Sequence, residues 1–138
     1  MTCKWIFSLN QLPHNYYFME VNLYNRQGQP VMYVADGEDK AIYTWSGHAV
    51  SYLVDDKIYG WRGKHIGWFI KGIVYDLHGY RVGYTRETCP VITYVPYVKY
   101  VKYVKYVKYV RYIPYAKPML QYAESKVDLV DFLSQDKI

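Results

Sequence analysis

The stretch IYGWRGKHIGWF, from Ile58 to Phe69, contains two runs rich in Tyr, Trp, Ile and Phe, separated by Arg62 and Gly63. Aromatic and β-branched residues favour strands. A polar residue followed by glycine between two such runs is typical of a tight hairpin turn, because glycine accepts a positive φ. The stretch therefore predicts one β-hairpin.

Three further stretches match it without gaps over twelve residues. They are LYNRQGQPVMYV (23–34), IYTWSGHAVSYL (42–53) and VYDLHGYRVGYT (74–85). Numbering the twelve positions as columns, column two is always Tyr, column six Gly, column nine β-branched and column eleven aromatic. The predicted turn glycines are Gly28, Gly47, Gly63 and Gly79. The sequence therefore predicts four copies of one hairpin.

A two-residue turn at columns five and six would place column two opposite column nine on one face. This would be a favourable pair of an aromatic and a β-branched side chain. Column ten is small in the later copies, where it is Ser51, Gly67 and Gly83. A small residue there would let another backbone approach closely.

The connections between the copies, ADGEDKA, VDDK and IKGI, are short and carry turn residues. An isolated hairpin is marginally stable in water, whereas tandem copies can bury one another's faces. Closure into a ring also removes exposed strand edges. We therefore predict an all-β fold in which four pseudo-symmetric β-hairpins close around an axis.

The segments LYNRQGQPV, VDDKIYGWRGKHIGWF and KGIVYDLHGYRVGYT resemble the four-fold beta flower family of small bacterial proteins. The match is most specific over residues 57–85 and extends more weakly back to Val21. The resemblance implies a pseudo-four-fold arrangement of hairpins, like petals, followed by a lysine-rich triplet tail. It implies no assigned activity. The longer N-terminus, the Tyr in every tail triplet and the C-terminal segment depart from the family pattern.

The hairpins are followed by YVPYVKYVKYVKYVKYVRYIPY, from Tyr94 to Tyr115, in which Tyr recurs at every third residue. A polyproline II helix has three residues per turn, so it would sort Tyr, Val and Lys into three rows. Pro96 and Pro114 occupy the Lys column and bar a central strand. The high β propensity of Tyr and Val points instead to an irregular edge strand. We predict an extended arm over residues 89–118, with its Tyr or Val row docked on the hairpins or on a second copy.

The chain thus divides into an N-terminal extension (1–20), a four-hairpin domain (21–88), the arm and a C-terminal segment (119–138). The stretch ESKVDLVDFLSQDKI predicts a short helix, with Ser125 and Asp128 as a start that resembles a capping box. Leu129 and Leu133, or Val127, Val130 and Leu133, would form its apolar face. We expect the helix to cover an edge of the domain.

Six of the 17 cations lie in residues 90–119, which contain no Asp or Glu, and the remaining 11 face 12 acidic residues. This local basicity favours an anionic partner of the arm. Two cysteines form neither a disulfide framework nor a metal site. The N-terminus is a poor signal peptide, and no run of about 20 apolar residues could span a membrane. We expect a cytoplasmic protein.

No motif for a metal, a cofactor or a catalytic centre is present, and the three histidines within the repeats, His48, His65 and His78, occupy three different columns. We therefore predict no catalytic, cofactor-binding or metal-binding residues. The hypothesis is a non-enzymatic binding or adaptor module whose arm contacts a polyanion, a membrane surface or a partner protein, with a homodimer as a further option. A single-stranded nucleic-acid binder and, less favoured, an enzyme with a site on the axis are the alternatives. The candidate anion-contacting residues are Lys99, Lys102, Lys105, Lys108 and Arg111, and the candidate stacking or docking residues are Tyr97, Tyr100, Tyr103, Tyr106 and Tyr109.

Overall fold

A computed structural model describes residues 19–138. Residues 1–18, which make up most of the N-terminal extension, lie outside the described residues. The eight strands are β1 (Val21–Tyr24), β2 (Pro30–Val34), β3 (Ala41–Thr44), β4 (Ala49–Val54), β5 (Lys57–Gly60), β6 (His65–Ile70), β7 (Ile73–Asp76) and β8 (Arg81–Tyr84). One helix follows, α1 (Leu129–Ser134).

The strands form a closed antiparallel barrel in sequence order, from β1 to β8. Each repeat supplies one hairpin, so that hairpins 1 to 4 are β1–β2, β3–β4, β5–β6 and β7–β8. The barrel closes through one residue pair, Tyr24 with Tyr84. The prediction of four hairpins closed around an axis is therefore confirmed.

The predicted register within the hairpins was wrong. In hairpin 1 the amide of Gly28 donates to the carbonyl oxygen of Asn25, and the amide of Asn25 donates to that of Gln29. The loop thus has three residues and ends in glycine at a φ of 83°, the left-handed position of a bulged hairpin turn. Column two consequently pairs with column eight, as in Tyr24 with Pro30.

A β-bulge at column nine follows this turn in every hairpin, because the register shifts between columns one and two. The Tyr of column two and the β-branched residue of column nine therefore lie on opposite faces. The aliphatic residues of column one and most of column nine point into the barrel, and the aromatic residues of columns two and eleven point outward.

The interior of the barrel is filled by apolar side chains from all eight strands and from α1. This cluster consists of Leu23, Met32, Val34, Ile42, Val50, Ile58, Ile66, Val74, Val82, Leu129, Phe132 and Leu133. A filled apolar interior of this kind is the main source of stability in a domain of this size.

The sequence predicted that helix α1 covers an edge of the domain, and this was wrong. The strands form a closed barrel, which has no free edge. The small residues of column ten instead make room for its side chains. A Cβ on Gly83 would lie 2.6 Å from Cδ1 of Leu129, and one on Gly67 would lie 2.7 Å from Cζ of Phe132. Column ten thus admits helix side chains, and at Gly67 also another backbone, as predicted, since a Cβ there would lie 2.2 Å from the carbonyl oxygen of Tyr75.

The start of α1 also differs from the prediction. Asp128 is the N-cap, and its side chain accepts hydrogen bonds from the amides of Val130 and Asp131. Ser125 lies outside the helix and accepts from the amide of Val127. Because the helix begins later, Leu129, Phe132 and Leu133 are its buried residues.

Candidate interaction surface

The arm leaves β8, wraps around the outside of the barrel and contacts all four hairpin turns in succession. We call residues 89–121 the belt, because the contacts continue to Gln121. The belt contains neither helix nor strand. At each turn glycine a belt carbonyl oxygen lies within 2.5 Å of where a Cβ would be. The four carbonyl groups belong to Ile92 at Gly28, Val101 at Gly47, Val110 at Gly63 and Met119 at Gly79.

Each turn glycine also accepts a hydrogen bond from the belt, two residues after that carbonyl group. The amides of Tyr94, Tyr103, Tyr112 and Gln121 donate to Gly28, Gly47, Gly63 and Gly79, each at 2.9 Å. The amides of Tyr100 and Tyr109 add a second bond, to the column-four carbonyl groups of Trp45 and Trp61. Pro118 occupies the equivalent position at hairpin 4 and has no amide hydrogen to donate.

The belt contacts repeat every nine residues, which is three triplets for each step from one hairpin to the next. A polyproline II segment of nine residues makes three turns and spans about 28 Å. A whole number of turns gives every third residue the same orientation at each hairpin. The period of three in the sequence therefore matches the pseudo-four-fold symmetry of the barrel.

The Lys row of the belt faces the barrel and pairs with its carboxylates. Glu20 accepts from Lys99 and Lys102 at 3.1 and 3.0 Å. Asp39 is shared in the same way by Lys105 and Lys108, at 2.9 and 3.1 Å. Asp56 pairs with Lys117 at 3.2 Å. Five lysines thus share three carboxylates, so the belt keeps an excess of positive charge.

Three of these lysines, Lys99, Lys102 and Lys108, also lie over aromatic cages on the outer face of the barrel. Cage A is formed by Tyr33, Tyr43 and Trp45, and cage B by the equivalent Tyr52, Tyr59 and Trp61. Nζ of Lys99 is 4.7 Å from the centroid of Tyr33, and nine residues later Nζ of Lys108 is 4.3 Å from that of Tyr52. These are cation–π distances.

The remaining contacts of the cages follow the same repeat. Lys102 lies over Tyr43 in cage A, and Arg111, nine residues later, lies over Tyr59 in cage B. In cage B, Nε1 of Trp61 donates to the carbonyl oxygen of Tyr106 at 2.8 Å. Nε1 of Trp45 is buried and has no acceptor among residues 19–138. Cage A is therefore engaged less completely than cage B.

The charges under the belt shift the pKa values of the carboxyl groups. Burial alone would raise the pKa of Glu20, but hydrogen bonds from Lys102 and Lys99 and their charges outweigh it, and the pKa is lowered. Burial likewise would raise the pKa of Asp39, but Lys105 and Lys108 outweigh it, and this pKa is also lowered. Both groups are therefore carboxylates at neutral pH and hold the Lys row against the barrel.

The Val row of the belt does not dock on the hairpins, which was one of the predicted arrangements, and it faces solvent in the single chain. The reason is that the outer face of the barrel is aromatic and flanked by carboxylates, which suits lysine better than valine. We call this row the ridge. Its side chains are 86–96% exposed, and they are Val95, Val98, Val101, Val104, Val107, Val110 and Ile113.

The candidate tyrosines remain largely exposed. Tyr97, Tyr100, Tyr103, Tyr106 and Tyr109 are all at least half exposed, although most use a backbone amide or carbonyl group against the barrel. Tyr103 also stacks on His48, with centroids 4.4 Å apart. The candidate cations lie along the side of the belt that faces the barrel, and their side chains are partly exposed.

Two histidines, His48 and His65, lie against the belt. His65 is buried, and its Nδ1 accepts from the amide of Tyr115 at 2.9 Å. Its Nε2 lies 2.9 Å from the carbonyl oxygen of Gly67, which assigns the hydrogen to Nε2. Burial lowers the pKa of His65. Both ring nitrogens thus have partners, and His65 serves to hold the belt.

Sequence reasoning missed the partners of the Lys row, above all Glu20, Asp39 and Trp61. A signal for them was present. Glu20 and Asp39 each lie three residues before the first column of a repeat, at Leu23 and Ile42. Trp45 and Trp61 share column four of repeats 2 and 3. The three triplets that separate equivalent belt contacts are a further signal, since they relate the arm to successive hairpins.

Two further observations concern residues 19–138. No group of three or more His, Cys, Asp or Glu side chains in this range could hold a metal ion. No helix in it has the length and apolar character needed to cross a bilayer.

Comparison with known proteins gives one match. The family model described as 4-fold beta flower protein matches residues 21–133, which include the barrel, the belt and most of α1. The match names a fold and no activity. No curated protein and no solved structure matches the chain.

Proposed function

This chain belongs to the 4-fold beta flower family, and we propose that it is a non-enzymatic binding module whose belt contacts an anionic lipid surface. The observation that supports the proposal is the ridge, a continuous row of exposed aliphatic side chains beside an excess of lysine. Exposed apolar side chains gathered in one row, with a polar rim, are typical of interaction surfaces. The cytoplasmic face of a membrane, whose lipids are anionic, is the surface that we propose.

The ridge has one orientation all around the barrel, because the register of nine residues repeats at each hairpin. Aliphatic side chains can enter the boundary between headgroups and acyl chains, where Tyr is also favoured. The belt lysines that pair with carboxylates have side chains 24–49% exposed. Since each shared carboxylate neutralises one of two lysines, the remaining charge can attract anionic headgroups.

The alternative of a single-stranded nucleic-acid binder rests on alternating cations and aromatic residues along one track. In the belt the Lys row is turned toward the barrel, and the outer side presents valine and tyrosine. A strand laid along the outside would therefore meet the ridge before the lysines. We favour the lipid surface for this reason, and an oligonucleotide is one arm of the test.

The proposal predicts that replacing Val101, Val104 and Val107 by Ser weakens adsorption to vesicles of phosphatidylcholine and phosphatidylserine by about tenfold or more. Tenfold corresponds to about 1.4 kcal/mol, less than the burial of one full valine side chain contributes. The measurement is co-sedimentation over a salt series. The matched control is Val127→Ser, an exposed valine outside the ridge, which should bind like the unaltered chain.

The comparison must use point variants of the full chain. A chain ending at Glu87 would lack α1, which fills the barrel, and the belt, which covers its aromatic face. Binding that is unchanged in the triple variant would contradict a role for the ridge. Equal binding to vesicles of pure phosphatidylcholine, with no dependence on salt, would contradict the role of anionic headgroups. Tight binding to an oligothymidylate, with none to vesicles, would favour the nucleic-acid alternative.

A further inference from the structure

We infer that the outer face of the barrel is a receptor for the belt of a second copy of this chain, so that two copies can exchange residues 89–138. The inference concerns the side of the belt that faces the barrel. It does not depend on lipid binding, which uses the ridge on the opposite side.

The strands of the receptor close without the belt. The eight strands, within residues 21–84, hydrogen-bond to one another in a closed ring, and no belt residue contributes a strand. The belt is held from the side, by the carbonyl groups of the turn glycines, by the cages and by three carboxylates. A belt arriving from another chain would therefore find every one of these groups in place.

The recognition chemistry fits an extended segment with a cation at every third residue. Lys99 and Lys108 occupy equivalent places in cages A and B, and Glu20 and Asp39 accept from them at 3.1 Å. Aromatic grooves that bind polyproline II segments work in this way, since the ligand is already extended and loses little entropy. The belt of a second copy carries the same triplets.

The charge of the barrel also allows the exchange. Residues 19–88 contain eight Lys and Arg and eight Asp and Glu, while residues 90–119 contain six cations and no acid. The barrel therefore does not repel the belt of another copy. It attracts that belt locally through Glu20, Asp39 and Asp56.

The connection between barrel and belt is short enough to act as a hinge. Strand β8 ends at Tyr84, and the belt is first docked at Ile92. A turn between them is closed by the amide of Cys89, which donates to Thr85, and is held by Thr88, which donates to Gly72. Opening such a turn sends the following element to a neighbouring copy, and this is a common route to dimers.

The exchange carries α1 with it. Beyond the belt the chain enters the barrel interior through Leu129, Phe132 and Leu133. A swapped pair would therefore bury the helix of each copy in the barrel of the other, and all contacts of the single chain would be kept. Each barrel would then be incomplete without its partner.

Charge reversal tests the exchange. The first variant carries Glu in place of Lys99, Lys102, Lys105 and Lys108, and the second carries Lys in place of Glu20 and Asp39. Each variant alone has like charges between its belt and its barrel. Expressed together, they can restore every ion pair by exchanging belts. We expect a mixed species of twice 16.5 kDa, with one copy of each variant, in light scattering and native mass spectrometry.

The matched control is one chain with all six substitutions, which restores the ion pairs within a single copy and should match the unaltered chain in mass. A second arm needs no substitution: unaltered chains with two different tags are refolded together at high concentration, and mixed pairs are captured. A mixed dimer in either arm supports the exchange. Absence of mixed dimers from both arms overturns it. No lipid is present in either arm, so the result is independent of the vesicle experiments.

Discussion

Deleting one triplet, residues 103–105, is expected to destabilise the protein by about 3 kcal/mol, whereas duplicating the same triplet costs less than about 1 kcal/mol. Val101 and Val110 dock nine residues apart, in a segment that contains neither helix nor strand. In a polyproline II conformation nine residues span about 28 Å and six span about 19 Å, so the shortened segment should not reach from one turn glycine to the next. The belt must then leave either hairpins 1 and 2 or hairpins 3 and 4.

The cost of the deletion follows from the contacts that are lost. Hairpins 1 and 2 hold the belt by three amide hydrogen bonds, from Tyr94, Tyr100 and Tyr103, at about 1 kcal/mol each. The belt could instead shift along the barrel by one triplet, because the triplets are identical. The three missing residues would then have to come from the turn between Thr85 and Cys89. A duplication instead adds three residues to a surface segment, for which the entropic cost grows slowly with length.

The measurement is urea unfolding of the three chains, with the midpoint and slope compared. The duplication is the matched control, because it adds the same three residues, Tyr, Val and Lys, that the deletion removes. Equal destabilisation by the deletion and the duplication would show that the belt has no fixed register of nine residues on the barrel.

Gly63→Ala is the second large effect, and we expect it to lower the free energy of unfolding by about 3 kcal/mol. Gly63 has a φ of 97°, and a Cβ there would lie 2.2 Å from the carbonyl oxygen of Val110. A left-handed conformation costs a residue with a Cβ about 1–2 kcal/mol. Displacement of the belt removes the bonds from Tyr109 and Tyr112 as well, at about 1 kcal/mol each.

The matched control is Gly37→Ala, in the connection between hairpins 1 and 2. A Cβ at Gly37 would meet only a side-chain oxygen of Asp39, at 3.5 Å, and this position has no positive φ. Its unfolding midpoint should stay close to that of the unaltered chain. A small effect of Gly63→Ala, similar to that of Gly37→Ala, would argue against close contact between belt and turn.

The hairpins could be predicted from the sequence because their signals are local. A polar residue followed by glycine at column six, between β-rich runs, specifies a turn whatever the surroundings. Their register could not be predicted in the same way, since a three-residue loop and a bulge at column nine move the aliphatic residues to the interior. A shift of one residue in a strand exchanges its two faces, so columns two and nine were assigned to the same face.

The orientation of the belt was missed for a different reason. Lysine is usually placed in solvent and valine in a core, and the three rows were interpreted on that basis. Here the outer face of the barrel offers cages such as Tyr52, Tyr59 and Trp61, with Asp39 nearby. Cation–π contacts and ion pairs together reverse the usual preference. Such a reversal depends on residues far apart in sequence, and a period within the arm cannot reveal it.

The most direct test of the account is amide hydrogen exchange at the belt tyrosines, resolved by residue in NMR spectra. The triplets are nearly identical, so composition alone predicts nearly equal exchange. The structure predicts slow exchange at Tyr100, Tyr103, Tyr109 and Tyr112, whose amides donate to the hairpins. It predicts fast exchange at Tyr97 and Tyr106, whose amides have no acceptor among residues 19–138. Uniform exchange at all six tyrosines would contradict the register of nine residues on which the belt, the ridge and both proposals depend.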